Sequence, residues 1–186
     1  LRSYQYFAVR AIYDKVTKRQ DWKSTDHQLG GYIWHTTGSG KTMSSFKAAQ
    51  LIADSGKADK VIFVIDRIEL GTQSAREYRN FSAEDEAIQE TENTDALVGK
   101  MKSPDVADTL IVSSIQKLGI MAEEGNIRPV DLKKINQKRI VFIVDECHRS
   151  TFGETFQQIK ATFPTAMFFG FTGTPIDATI EVFGDI

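Results

Sequence analysis

The run Gly38-Ser39-Gly40-Lys41-Thr42 restricts the fold more than any other feature of the sequence. It follows the short strand candidate Gly31-Tyr32-Ile33-Trp34 and opens a helix candidate, Lys41 to Ala53. A phosphate chain needs several backbone N–H groups converging on it, and glycines let the backbone turn and approach closely. The helix that follows adds the positive end of its dipole. Lys41 supplies a charge to β and γ phosphates, and the Thr42 hydroxyl suits Mg²⁺. The cradle is expected to run from Thr37 through Gly38, Ser39, Gly40 and Lys41 to Thr42. The full pattern has glycine five positions before Gly40, where this chain has His35. His35 reads as an end-of-strand residue, with contact to the nucleotide or a neighbouring loop as the alternative.

The rest of the chain alternates apolar runs with amphipathic segments. Helical spacing covers Tyr4 to Val16 and Ile68 to Phe81, while Val61–Ile65, Leu110–Val112, Ile140–Val144 and Ala166–Phe171 are apolar runs. Apolar runs without alternation suit strands buried on both faces, and strands separated by helices suggest βαβ units with a parallel sheet. In such sheets ligands bind beyond the carboxyl ends of the strands. The residues after successive strands are small, polar or charged: His35 to Thr42, Asp66-Arg67, Ser113-Ser114, Asp145-Glu146 and Thr172-Gly173-Thr174. Two stretches, Ser82 to Asp95 and Glu123 to Arg139, read as solvated loops and helix faces.

A second motif, Val144-Asp145-Glu146-Cys147-His148, closes an apolar strand. Asp145 is expected to hold Mg²⁺ through water, and Glu146 to orient or deprotonate the attacking water. Cys147 reads as a small buried residue. His148 is either a core histidine or a link between the γ-phosphate site and neighbouring loops. A third motif, Phe171-Thr172-Gly173-Thr174-Pro175, is a turn after the last expected strand.

Composition bounds the alternatives. A chain of 186 residues with 41% hydrophobic and 26% charged residues fits one domain with a packed core. A single cysteine excludes an internal disulfide and a cysteine metal cluster, and points to a reducing, cytoplasmic setting. There is no run of about 20 apolar residues, so no membrane span is expected. The net charge of −2 is unlike that of a small nucleic-acid binder, which is usually basic. A local patch or a second domain would have to supply positive surface.

Taken together, the motifs resemble the first RecA-like lobe of superfamily-two helicases and translocases. More narrowly they resemble the motor region of a type I restriction enzyme R subunit. The residues that carry this are Leu1-Arg2-Ser3-Tyr4-Gln5, Ile33 to Thr42, Val64-Ile65-Asp66-Arg67-Ile68-Glu69-Leu70, Ser113 to Leu118, Asp145 to Ser150 and Phe171 to Pro175. The resemblance spans nearly the whole chain. It implies a P-loop NTPase fold: three α/β/α layers around a mainly parallel sheet, with residues 1–186 forming one lobe.

The resemblance also implies roles. Gln5 would read the adenine edge, assisted by Arg2 or Tyr4; sequence alone also allows a surface helix residue at Gln5. Lys41, Asp145 and Glu146 would drive ATP hydrolysis, with Thr42 and Asp145 as the Mg²⁺ residues. Arg67, Ser113, Ser114 and Gln116 would lie at the nucleic-acid backbone, an exposed salt bridge being the other reading of Arg67. His148, Thr172 and Thr174 would couple nucleotide state to movement.

The implied activity is ATP-dependent translocation on double-stranded DNA, alongside modification and specificity subunits, with cleavage by a separate nuclease domain. A strand-separating DNA or RNA helicase is the alternative. A nucleotide switch is disfavoured by intact Lys41, Thr42, Asp145 and Glu146. A metabolic kinase is disfavoured by the Asp145 to His148 motif and the Thr172 to Pro175 turn. Motors of this group close the ATP cleft with a second lobe carrying arginine fingers, worth about 10³ to 10⁵ in rate. No candidate for that lobe or for the nuclease occurs in the sequence, so the chain is expected to be a fragment that binds ATP weakly and turns it over very slowly alone.

Overall fold

A computed structural model describes residues 2–25, 30–35, 40–65, 93–145 and 152–173. Five strands form one sheet: β1 (Gly31–Trp34), β2 (Lys60–Ile65), β3 (Leu110–Ser114), β4 (Ile140–Asp145) and β5 (Met167–Thr172). Their order is β1-β5-β4-β2-β3, and every neighbouring pair is parallel. The described helices are α1 (Ser3–Lys18), α2 (Lys41–Asp54), α3 (Thr94–Lys102), α4 (Ile115–Ala122), α5 (Pro129–Asn136) and α6 (Phe152–Thr162). The helix expected over Ile68 to Phe81 lies outside the described residues.

Successive side chains of a strand point to opposite faces, which explains why the strands are apolar without alternation. Val61, Phe63, Ile65, Val141, Ile143, Met167, Phe169 and Phe171 face one side. There they meet Val9, Ile12 and Val16 of α1 and Phe46, Ala48, Ala49 and Ile52 of α2. Ile62, Val64, Phe142, Val144 and Phe168 face the other side, against Leu97, Met101, Leu118, Met121, Ile135, Phe156 and Ile159 from α3 to α6 and Phe163 just after α6. Phe142 stacks on Phe168 with ring centroids 4.7 Å apart. The result is the expected three-layer α/β/α arrangement. No helix among the described residues is long and apolar enough to cross a membrane.

Two local features fix where β1 enters the sheet. Any Cβ on Gly30 would run into the carbonyl oxygen of Phe168, so only glycine fits this close approach. Lys15 of α1 donates to the Gly30 carbonyl at 2.8 Å. At the opposite corner, Arg139 grips Asp59 through its backbone N–H (2.7 Å), Nε (3.2 Å) and Nη2 (3.1 Å). This pins the start of β2 to the start of β4.

The stretch Glu123 to Arg139 is not merely solvated, because Ile127, Asp131 and Ile135 are buried. Asp131 is held by Arg128 (2.9 Å) and Lys102 (3.2 Å), so a buried carboxylate joins α5 to α3. In the other acidic stretch, Asn93 caps α3 by accepting from the Ala96 N–H at 2.7 Å. The preceding residues of that stretch lie outside the described ones.

Candidate nucleotide site

All five strands being parallel, their carboxyl ends share one rim: Trp34, Ile65, Ser114, Asp145 and Thr172. The end of β1 leads toward α2, which begins at Lys41. Gly40 is the N-cap residue, in the left-handed region with φ 80 and ψ 35. A side chain there would be strained, and its Cβ would also meet the amide nitrogen of Gln5. The Gly40 carbonyl accepts three hydrogen bonds: from the Ser44 N–H (3.1 Å), from Ser44 Oγ (3.1 Å) and from Gln5 Nε2 (3.3 Å). The first turn of α2 is therefore fixed from its own helix and from α1.

Gln5 is 6% exposed, and its Oε1 accepts from the Arg2 N–H at 2.8 Å. It is thus not a plain surface residue: its amide joins the start of α1 to Gly40, the residue that caps α2. Tyr4 sets its ring edge-on to His35, with centroids 5.5 Å apart.

Lys41 is buried at the start of α2. Thr42 donates from Oγ1 to Asp145 Oδ2 at 3.1 Å. Asp145 is 1% exposed and sits at the end of β4, its Cα paired with that of Phe171 on β5. A hydroxyl and a carboxylate from positions 103 apart in sequence thus meet at one point on the rim. Oxygen donors of this kind, beside a lysine and a helix N-terminus, suit Mg²⁺ and a phosphate chain.

His35 continues β1 by one rung, its N–H donating to the Thr172 carbonyl at 2.9 Å. The ring is buried edge-on between Tyr4 and Phe171, and its Nδ1 has no hydrogen-bond partner among the described residues. Burial holds the imidazole below its ordinary titration range, and the nearby Lys41 charge pushes the same way. His35 is therefore neutral near pH 7, wedged between α1, β1 and β5.

Thr172 is fully buried at the end of β5. Ser113 and Ser114 are also fully buried. The Ser114 hydroxyl caps α4 by accepting from the Lys117 N–H at 3.2 Å, and Ser113 Oγ donates to the Ser114 carbonyl at 3.2 Å. Both hydroxyls are engaged within the fold. Gln116, in the first turn of α4, is exposed. Thr37, Gly38, Ser39, Arg67, Glu146, His148 and Thr174 lie outside the described residues.

Ser44 went unnoticed in the sequence: it locks the Gly40 carbonyl, and a serine one turn into the helix that follows the loop was its only signal. Trp34 belongs to the Ile33 to Thr42 run that carries the resemblance, but no role was read for it; its side chain is exposed and its indole N–H donates to the Gly173 carbonyl at 3.1 Å.

The SWI2/SNF2 ATPase family matches residues 4–186. The Staphylococcus aureus (strain MSSA476) type I restriction enzyme SauMSSORF170P endonuclease subunit is 41% identical over 175 residues, 94% of this chain and 17% of that protein. A Mycoplasma pneumoniae protein, the C-terminal part of the putative type I restriction enzyme MpnIIP endonuclease subunit, is 42% identical over 88% of this chain and 78% of its own length. The chain thus spans under a fifth of the length of the staphylococcal relative. Among solved structures, the Pyrococcus furiosus Hef helicase domain superposes with a TM-score of 0.57 at 21% identity, over 98% of this chain and 35% of that one. A nuclease-deletion mutant of the type ISP restriction-modification enzyme LlaGI, in complex with a DNA substrate mimic, also gives 0.57, at 22% identity over 94% of this chain and 17% of that one. These two likenesses establish a helicase-type RecA-like fold. The chain belongs to the SWI2/SNF2 ATPase family and, within it, to the type I restriction enzyme endonuclease subunits.

Proposed function

We propose that this chain is the ATP-binding lobe of a motor that moves along double-stranded DNA within a type I restriction enzyme. The observation that carries the reading is the Thr42–Asp145 contact, 3.1 Å long, next to Lys41 at the start of α2. Thr42 and Asp145 would hold Mg²⁺, which supplies charge neutralisation at the phosphates when bound. Lys41 binds the β and γ phosphates, and Gly38, Ser39 and Gly40 offer backbone N–H groups to them. Gln5, whose amide links Arg2 and Gly40, would read the adenine edge. Glu146 orients the attacking water and accepts its proton. The water oxygen bonds to the γ-phosphorus as the bond to the ADP oxygen breaks, leaving ADP and inorganic phosphate.

Thr172, Thr174 and His148 couple that cycle to movement, and Arg67 and Gln116 meet the DNA backbone. Buried as they are, Ser113 and Ser114 shape the rim beneath that contact rather than offering hydroxyls to it. The motor would work with a second lobe, a separate nuclease domain, and modification and specificity subunits. A lone cysteine fits a cytoplasmic setting.

The test uses the intact protein assembled with its partners on duplex DNA carrying a bound third strand. ATP-dependent displacement of the third strand without separation of the duplex is expected. Separation of the duplex would replace this reading with a strand-separating helicase. Neither activity, with ATP still bound, would replace it with a nucleotide switch.

A further inference from the structure

Trp34 is 61% exposed, so it contributes little to the core, where a smaller apolar residue would complete β1 equally well. Its indole N–H is nevertheless committed, at 3.1 Å, to the carbonyl of Gly173. That bond extends an ordered ladder. Trp34 and Thr172 are the last Cα partners between β1 and β5, and the His35 N–H then takes the Thr172 carbonyl at 2.9 Å. Two consecutive carbonyls leaving β5 are thus held by two consecutive residues leaving β1, one through the backbone and one through a side chain. The chain beyond His35 runs directly into the phosphate-loop segment, and the chain beyond Gly173 runs directly into Thr174 and Pro175. The His35 ring, edge-on to Tyr4 and Phe171, braces the same junction from beneath.

We propose that Trp34 is a positioning residue that transmits the state of the nucleotide site, through the β1 exit, to Gly173 at the end of β5 by its indole bond. This rests on the nucleotide-site reading above. A backbone ladder alone would tie Thr172 but leave Gly173 free to move apart from β1. With the indole bond in place, a shift of the β1 exit on nucleotide binding carries Gly173 with it. Coupling of this kind needs a contact that joins the two segments, and the indole bond joins the β1 exit to Gly173. Trp34 touches neither phosphate nor water in this scheme, so its loss leaves the chemistry intact and weakens only the transmission.

The experiment compares the full-length wild-type protein with its Trp34→Phe variant, which keeps an aromatic ring and removes the donor. ATP affinity and amide hydrogen exchange at Gly173, with and without a non-hydrolysable ATP analogue, are measured on both. In the wild type the analogue changes exchange at Gly173. In Trp34→Phe that change shrinks by about two- to tenfold, the factor that one ordinary hydrogen bond can supply, while ATP affinity changes by no more than the same factor. On DNA the variant also moves fewer base pairs per ATP consumed. Full retention of the Gly173 response in a variant with wild-type ATP affinity overturns the proposal, as does a wild type whose Gly173 exchange ignores bound nucleotide. A wild type that binds no nucleotide removes the nucleotide-site reading itself, and the transmission role falls with it.

Discussion

Gly40→Ala offers a perturbation whose size can be worked out. Gly40 has φ 80 and ψ 35, and an alanine held there costs about 1–2 kcal/mol. The new Cβ would also collide with Gln5 Nε2. Gln5 is buried, and its Oε1 is tied to the Arg2 N–H, so the amide can move aside only by giving up its 3.3 Å bond to the Gly40 carbonyl. That adds about 0.5–1.5 kcal/mol, for a combined loss of about 1.5–3.5 kcal/mol. In a Gln5→Ala background the collision is gone and the bond is already lost, so Gly40→Ala should cost only its backbone strain of about 1–2 kcal/mol. The double variant should therefore be less destabilised than the sum of the singles by about 0.5–1.5 kcal/mol. Urea denaturation of the four proteins measures this, provided the m-values agree. Additivity within about 0.3 kcal/mol would refute the claim that Gln5 and Gly40 are in direct contact.

Lys41→Ala should lower ATP affinity by at least about tenfold, a loss of about 1.4 kcal/mol, with the fold intact by circular dichroism; unchanged affinity would remove Lys41 from the phosphate site. Glu146→Gln in the intact protein should retain ATP binding and lose turnover, as equilibrium binding beside single-turnover kinetics will show. His35 carries a sign that can be checked. Its folded-state pKa lies below the ordinary 6.5, first through burial and then through Lys41, so its contribution is complete above 6.5 and lost as pH falls from there toward the folded value. His35→Phe should flatten that part of the stability profile measured by denaturation against pH. Burial works to raise the Asp59 pKa, but hydrogen bonds and charge from Arg139 outweigh it and hold the group below 3.8. The Asp59–Arg139 contribution is therefore present above 3.8 and lost as pH falls through the lower folded value. Asp59→Asn should remove that acid limb and cost about 1 kcal/mol at neutral pH, the pair being partly exposed.

The strands were legible because burial on both faces leaves continuous apolar runs, and β2, β4 and β5 carry them at nearly the expected bounds. The start of α2 at Lys41 and the acidic end of β4 were legible because a glycine run marks a helix entry and an apolar run ending in an acid marks a strand exit. Helix α5 was missed for a physical reason. Asp131 is buried only because Arg128 and Lys102 neutralise it, and a local reading assigns such a charged stretch to solvent. Ser113 and Ser114 misled in the opposite direction: two hydroxyls at a strand end suggest an accessible polar rim, yet one is used to cap α4. The order β1-β5-β4-β2-β3 and the Trp34–Gly173 bond depend on partners far away in sequence, 139 positions for the latter. Hydrophobic periodicity holds no information at that range.

The central claim is that Thr42 and Asp145 form the Mg²⁺ end of an ATP site. Equilibrium ATP binding with and without Mg²⁺, in wild type, Thr42→Val and Asp145→Asn, tests it most directly. The account predicts that Mg²⁺ tightens ATP binding in the wild type and that either substitution abolishes most of that tightening. The same Mg²⁺ dependence in all three proteins would contradict it.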